Sequence, residues 1–86
     1  MDYSVVWATS TSHAYVTLLA RVSEKSVPEA RKTARLVDAT IRSISVTPHD
    51  DTGPLMGTYQ KEVAGTNLTI TYARGNDGTI AIVGIG

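Results

Sequence analysis

Residues 68–85 read LTITYARGNDGTIAIVGI, and this stretch decides the fold. Leu68, Ile70 and Tyr72 alternate with Thr69, Thr71 and Ala73, the period of a half-buried strand. Gly75-Asn76-Asp77-Gly78 follows, where glycine and asparagine supply the positive φ angles that a tight return requires. Residues 79–85 are then a nearly unbroken apolar run, which predicts a central strand covered on both faces. Such a strand would also offer its edge or end to a partner's strand or helix.

Upstream of this hairpin, residues 58–63 make a further strand, turned by 64–67 into the next. His49-Asp50-Asp51-Thr52-Gly53-Pro54 before it is a polar loop with strong turn chemistry. The preceding half of the chain changes period. Ala30, Ala34, Val37, Ile41 and Ile44 recur every three or four residues, one face of a helix that Pro48 terminates. Ser26-Val27-Pro28-Glu29 opens that helix with the spacing of a capping box, and Pro28 is suited to a first turn. An earlier helix over residues 12–23 carries Tyr15, Leu18, Leu19 and Val22 on one face, preceded by the N-cap candidates Thr9, Ser10, Thr11 and Ser12. Tyr3, Val5 and Trp7 alternate in a first strand. The expected fold is α+β in the order β-α-α-β-β-β, a helical hairpin on one face of a mostly antiparallel four-stranded sheet.

At 86 residues there is room for one domain, 1–86, and one core. A chain this size buries roughly 60–65% of its unfolded surface, so its stability margin is thin. With no cysteine, neither a disulfide frame nor a thiolate metal site is available. No apolar run approaches the roughly 18 residues of a membrane span, and Asp2 stands where a secretory signal would be basic, so a cytoplasmic protein is expected. The formal net charge is zero but unevenly distributed. Residues 1–45 hold six cations (Arg21, Lys25, Arg31, Lys32, Arg35, Arg42) against four acids, whereas residues 46–86 hold Lys61 and Arg74 against four. Nucleic-acid binding leaves a basic footprint, and the strand-rich half has none.

Five stretches carry a resemblance to a known family. They are Tyr3-Ser4-Val5-Val6-Trp7, Pro28-Glu29-Ala30-Arg31, Pro54-Leu55-Met56-Gly57-Thr58-Tyr59, Leu68-Thr69-Ile70-Thr71-Tyr72 and Ile82-Val83-Gly84. Together with the element order they resemble the RelE/ParE superfamily of small bacterial toxins over nearly the whole chain. The resemblance implies a type II toxin–antitoxin module with a cognate antitoxin as partner. The target would be ribosome-bound mRNA in the RNase branch, or DNA gyrase in the ParE branch.

The family's RNases bind mRNA on the concave sheet face, with lysines and arginines around the scissile phosphate. A 2′-hydroxyl must lose its proton while fixed positive charge stabilises the transition state. The corresponding strand positions here read Gln60 and Glu62, with Lys61 between them on the opposite face, and the next strand's arginine reads Thr69. Where the family continues past its closing glycine with basic residues, this sequence reads Ile85-Gly86. Lys61, Arg74 and Tyr72, with Tyr59, are the candidate catalytic residues that remain, the two tyrosines reading first as core or half-buried strand residues with a hydrogen-bonded hydroxyl. Arg31, Arg35 and Arg42, with Lys32 beside them and Tyr59 on the sheet, are the candidate partner-binding residues. The helical stripe reads first as the solvated face of an amphipathic helix, and in the sharper alternative as a dock for an acidic partner. Two classes of function follow. One is a toxin that binds a host target or weakly cleaves mRNA. The other is a non-catalytic interaction or inhibitor protein retaining the toxin fold. Neither needs a cofactor. His13 reads as a capping or surface residue, and His49 beside Asp50 and Asp51 as a solvated loop, since one imidazole with no further marked ligand is no metal site.

Overall fold

The computed structural model describes residues 3–46, 57–75 and 77–86, and the backbone of 51–52. The expected roles of Pro48, His49, Pro54-Leu55-Met56 and Asn76 lie outside the described residues. Strand β1 (Ser4–Trp7) leads into helices α1 (Thr9–Lys25) and α2 (Val27–Val46), then β2 (Asp51–Thr52), β3 (Thr58–Glu62), β4 (Thr69–Arg74) and β5 (Thr79–Ile85). The expected order holds. The two-residue β2 is an addition, formed where the loop passes antiparallel beside Tyr59 and Gln60.

Sheet order is β1-β5-β4-β3-β2, with β1 parallel to β5 and the remaining neighbours antiparallel. Strand β5 is central, as its apolar run predicts. Its edges are therefore taken by β1 and β4, and its end is also paired, Thr69 and Gly86 exchanging N–H···O bonds of 3.0 and 3.1 Å. The expectation that a partner's strand extends β5 is thereby corrected. So is its coverage on both faces: Ile80 and Ile82 are buried, but the opposite face is half-buried at Thr79 and Ala81 and exposed at Val83. Both helices lie on one face, so among the described residues the second has no covering layer.

Register assigns the faces. Val5 and Trp7 pair with Ile80 and Ile82, Tyr59 with Tyr72, and Lys61 with Ile70. These positions share the helix-facing side with the core of Val37, Ile44, Val63, Ile70, Tyr72, Ile80 and Ile82. The turns between β3 and β4 and between β4 and β5 use Gly65 and Gly78 at φ +84° and +80°, where a side chain would be strained.

Helix α1 starts three residues before its expected beginning. Ala8 is the N-cap, with no side-chain cap bond, and its N–H donates to Ile82 O at 3.0 Å as the last rung beside β5. The sheet thus sets the helix start, and Thr11 (4% exposed) turns inward instead of capping. Between the helices one residue does two jobs. Ser26 N–H donates to Val22 O to close α1, while Ser26 Oγ accepts from Glu29 N–H at 3.3 Å to open α2. Only half of the capping box can form, because the Ser26 N–H that Glu29 would bind is already used. Ser26→Ala is expected to cost about 1 kcal/mol in urea denaturation, and no measurable change would show that the cap carries nothing.

Candidate functional site

The six cations of the first half all lie on α1 and α2, and all are exposed. Arg42 pairs with Asp38 one turn earlier at 2.9 Å, both well solvated, a contact worth little on its own. Arg31 and Arg35, one turn apart on α2, make no ion pair among the described residues. Between them stands Ala34, whose small side chain leaves the surface open, and three depressions meet there.

One depression, about 570 Å³, runs between α1, α2 and β1 and is lined by Val5, Trp7, Tyr15, Leu19, Val37 and Ile41, with Arg35 and Asp38 at its rim. Trp7 and Tyr15 stack in it, with centroids 5.2 Å apart. Burial raises the Tyr15 hydroxyl above its ordinary value and the Asp38 carboxylate adds to this, so it stays a neutral hydrogen-bonding group at physiological pH. A second depression, about 420 Å³, lies along the helix–helix seam over Val16, Leu19, Ala20, Val27 and Ala30, flanked by Arg31. Val16 is 64% exposed and Val27 49%. Leu18, Leu19 and Val22 are only half-buried, so α1 presents apolar surface that nothing in the chain covers among the described residues. The result is an exposed apolar strip edged by two arginines.

The candidate catalytic residues do not assemble into such a site. Tyr72 is 0% exposed, stacked on Tyr59 with centroids 5.6 Å apart, and so presents no surface to a substrate. Lys61 and Arg74 pair with Ile70 and Ile80, which puts both on the helix-facing side. The open face carries Ser4, Val6, Thr58, Gln60, Thr69, Thr71, Ala73 and Ala81, with Glu62 its formal charge among the described residues. A phosphodiester lying there would meet no fixed cation among the described residues. Tyr59 also stands apart from the arginine stripe: its ring neighbours are Tyr72 and Arg74.

What the structure does bring together is Arg74 with Tyr3 and Tyr59. The guanidinium donates to Tyr3 Oη at 3.0 Å and lies 5.6 and 5.9 Å from the Tyr3 and Tyr59 ring centroids. The bond to Tyr3 is the main reason its pKa is raised. Tyr3 was legible as a strand residue but not as part of this cluster.

No family model and no curated protein matches the chain at a significant level. Among the described residues, no helix is long and apolar enough to cross a membrane.

Proposed function

We propose that this chain is the toxin-like member of a bacterial two-protein module of the RelE/ParE type, acting in the cytoplasm by binding a host protein rather than by cutting RNA. The carrying observation is the apolar strip on the helical hairpin, with exposed Val16 and Val27 beside Arg31 and Arg35, which make no ion pair among the described residues. Burying that strip would remove apolar surface from water on a domain with little stability to spare, and the arginines would select a partner bearing carboxylates. A cognate antitoxin of amphipathic, acidic character fits this surface. DNA gyrase, the target of the ParE branch, is the corresponding host protein.

The open face, which carries no cation among the described residues, weighs against mRNA cleavage, because the chemistry needs cations around the phosphate. The same lack of cations supports a second reading, a non-catalytic inhibitor that keeps the fold and blocks a host factor. Expression in bacteria with and without the adjacent small reading frame tests the module. Growth arrest relieved by that neighbour is the expected result. Absence of any growth defect, together with capture of a host protein unrelated to a neighbouring gene, would replace the toxin reading with the inhibitor one.

A further inference from the structure

At one end of the sheet, two strands and the residue before a third contribute hydrogen-bond donors to one spot. Arg74 closes β4, Tyr59 lies on β3 and Tyr3 immediately precedes β1. Each is held in place. Tyr3 N–H donates to Ser45 O at 2.9 Å, and Ser45 Oγ donates back to Tyr3 O at 2.7 Å. Tyr59 rests on the fully buried ring of Tyr72. Arg74 is exposed yet fixed by its bond to Tyr3 and by both rings.

The chemistry of the cluster is one-sided. A guanidinium has five N–H donors and no acceptor. A tyrosine hydroxyl that accepts from Arg74 has its own hydrogen left to donate. No carboxylate among the described residues pairs with Arg74. A pre-ordered, exposed cation beside two hydroxyl donors is complementary to a compact oxyanion, which a guanidinium grips in bidentate fashion. From this the geometry points to an anion site in which Arg74, Tyr3 and Tyr59 hold the phosphate group of a small phosphomonoester. A polyanion fits less well, since residues 46–86 carry just one other cation, Lys61. The site is separate from the hairpin strip and does not depend on the role proposed for it.

Titrating inorganic phosphate into the intact ¹⁵N-labelled protein at constant ionic strength tests this. Saturable shifts at the Tyr3, Tyr59 and Gly75 amides are expected, with roughly millimolar affinity, and chloride should not reproduce them. Arg74→Gln should weaken binding at least tenfold. Tyr3→Phe, which keeps the ring and removes the hydroxyl, should weaken it severalfold and decides the matter if Arg74→Gln fails to fold. A nucleoside monophosphate should bind at least as well as phosphate. Equal shifts with chloride, or unchanged binding in Tyr3→Phe, would overturn the site. Tighter binding of a short oligonucleotide lacking terminal phosphates would overturn the monoester assignment.

Discussion

Tyr72→Ala is expected to lower stability by about 3–5 kcal/mol. Tyr72 is fully buried on β4, between β3 and β5, with Ile70, Ile80 and Ile82 in the same core and Tyr59 stacked against it. A domain of this length has roughly 4–13 kcal/mol in total, so the variant would be close to unfolding or largely unfolded at 37 °C. Among the described residues no buried side-chain N or O atom lacks a hydrogen-bond partner, so the Tyr72 hydroxyl is satisfied. Tyr72→Phe therefore leaves that partner unsatisfied and should cost about 1–3 kcal/mol while keeping the packing. Urea denaturation followed by circular dichroism separates the two. A loss below about 1 kcal/mol for the alanine variant would mean that the ring is not in the core. The same burial predicts that any activity survives Tyr72→Phe, because a hydroxyl without surface cannot touch a substrate.

The second large effect is expected in binding and not in folding. Val16→Asp combined with Arg35→Glu changes two exposed positions on α1 and α2. Surface substitutions of this kind typically shift stability by less than about 0.5 kcal/mol each. For a partner seated on the strip, the same pair places a carboxylate in an apolar contact and reverses a rim charge. A loss of at least 100-fold in affinity is expected, about 2.7 kcal/mol, measurable by calorimetry with the co-purified partner. Unchanged affinity would move the interface elsewhere on the molecule.

Much of the fold was legible because its signals are local. The alternation Ile70, Tyr72 and Ile80, Ile82 defines β4 and β5, and β5 spans the same residues the apolar run marks. The face of α2 reads correctly through Val37 and Ile44. What escaped depends on distant parts of the chain. The apolar run 79–85 gives no sign that no described helix or loop covers its second face, since Thr79 and Ala81 suit either environment. The start of α1 is set by Ala8 bonding to Ile82, not by the run of cap candidates at 9–12. Ser26 reads as an N-cap, but its part in closing α1 appears only when both helices are in place.

The candidate site was half legible. The arginine stripe is visible from helical spacing, whereas the groove meeting at Ala34 needs α1 and β1 set against α2. The Arg74–Tyr3 bond joins residues 71 apart, a distance no local pattern reports. Strand parity correctly separates Lys61 from Gln60 and Glu62. Which side the helices cover, and hence that Lys61 and Arg74 leave the open face without a cation, is a property of the assembled layers.

The claim that the chain acts by binding through its hairpin is tested most directly by growth of a bacterial host expressing three forms of the protein. The wild type should arrest growth, Lys61→Ala/Arg74→Ala should arrest it equally, and Val16→Asp/Arg35→Glu should not, at matched soluble levels. Arrest lost in Lys61→Ala/Arg74→Ala and retained in the hairpin variant would contradict the account.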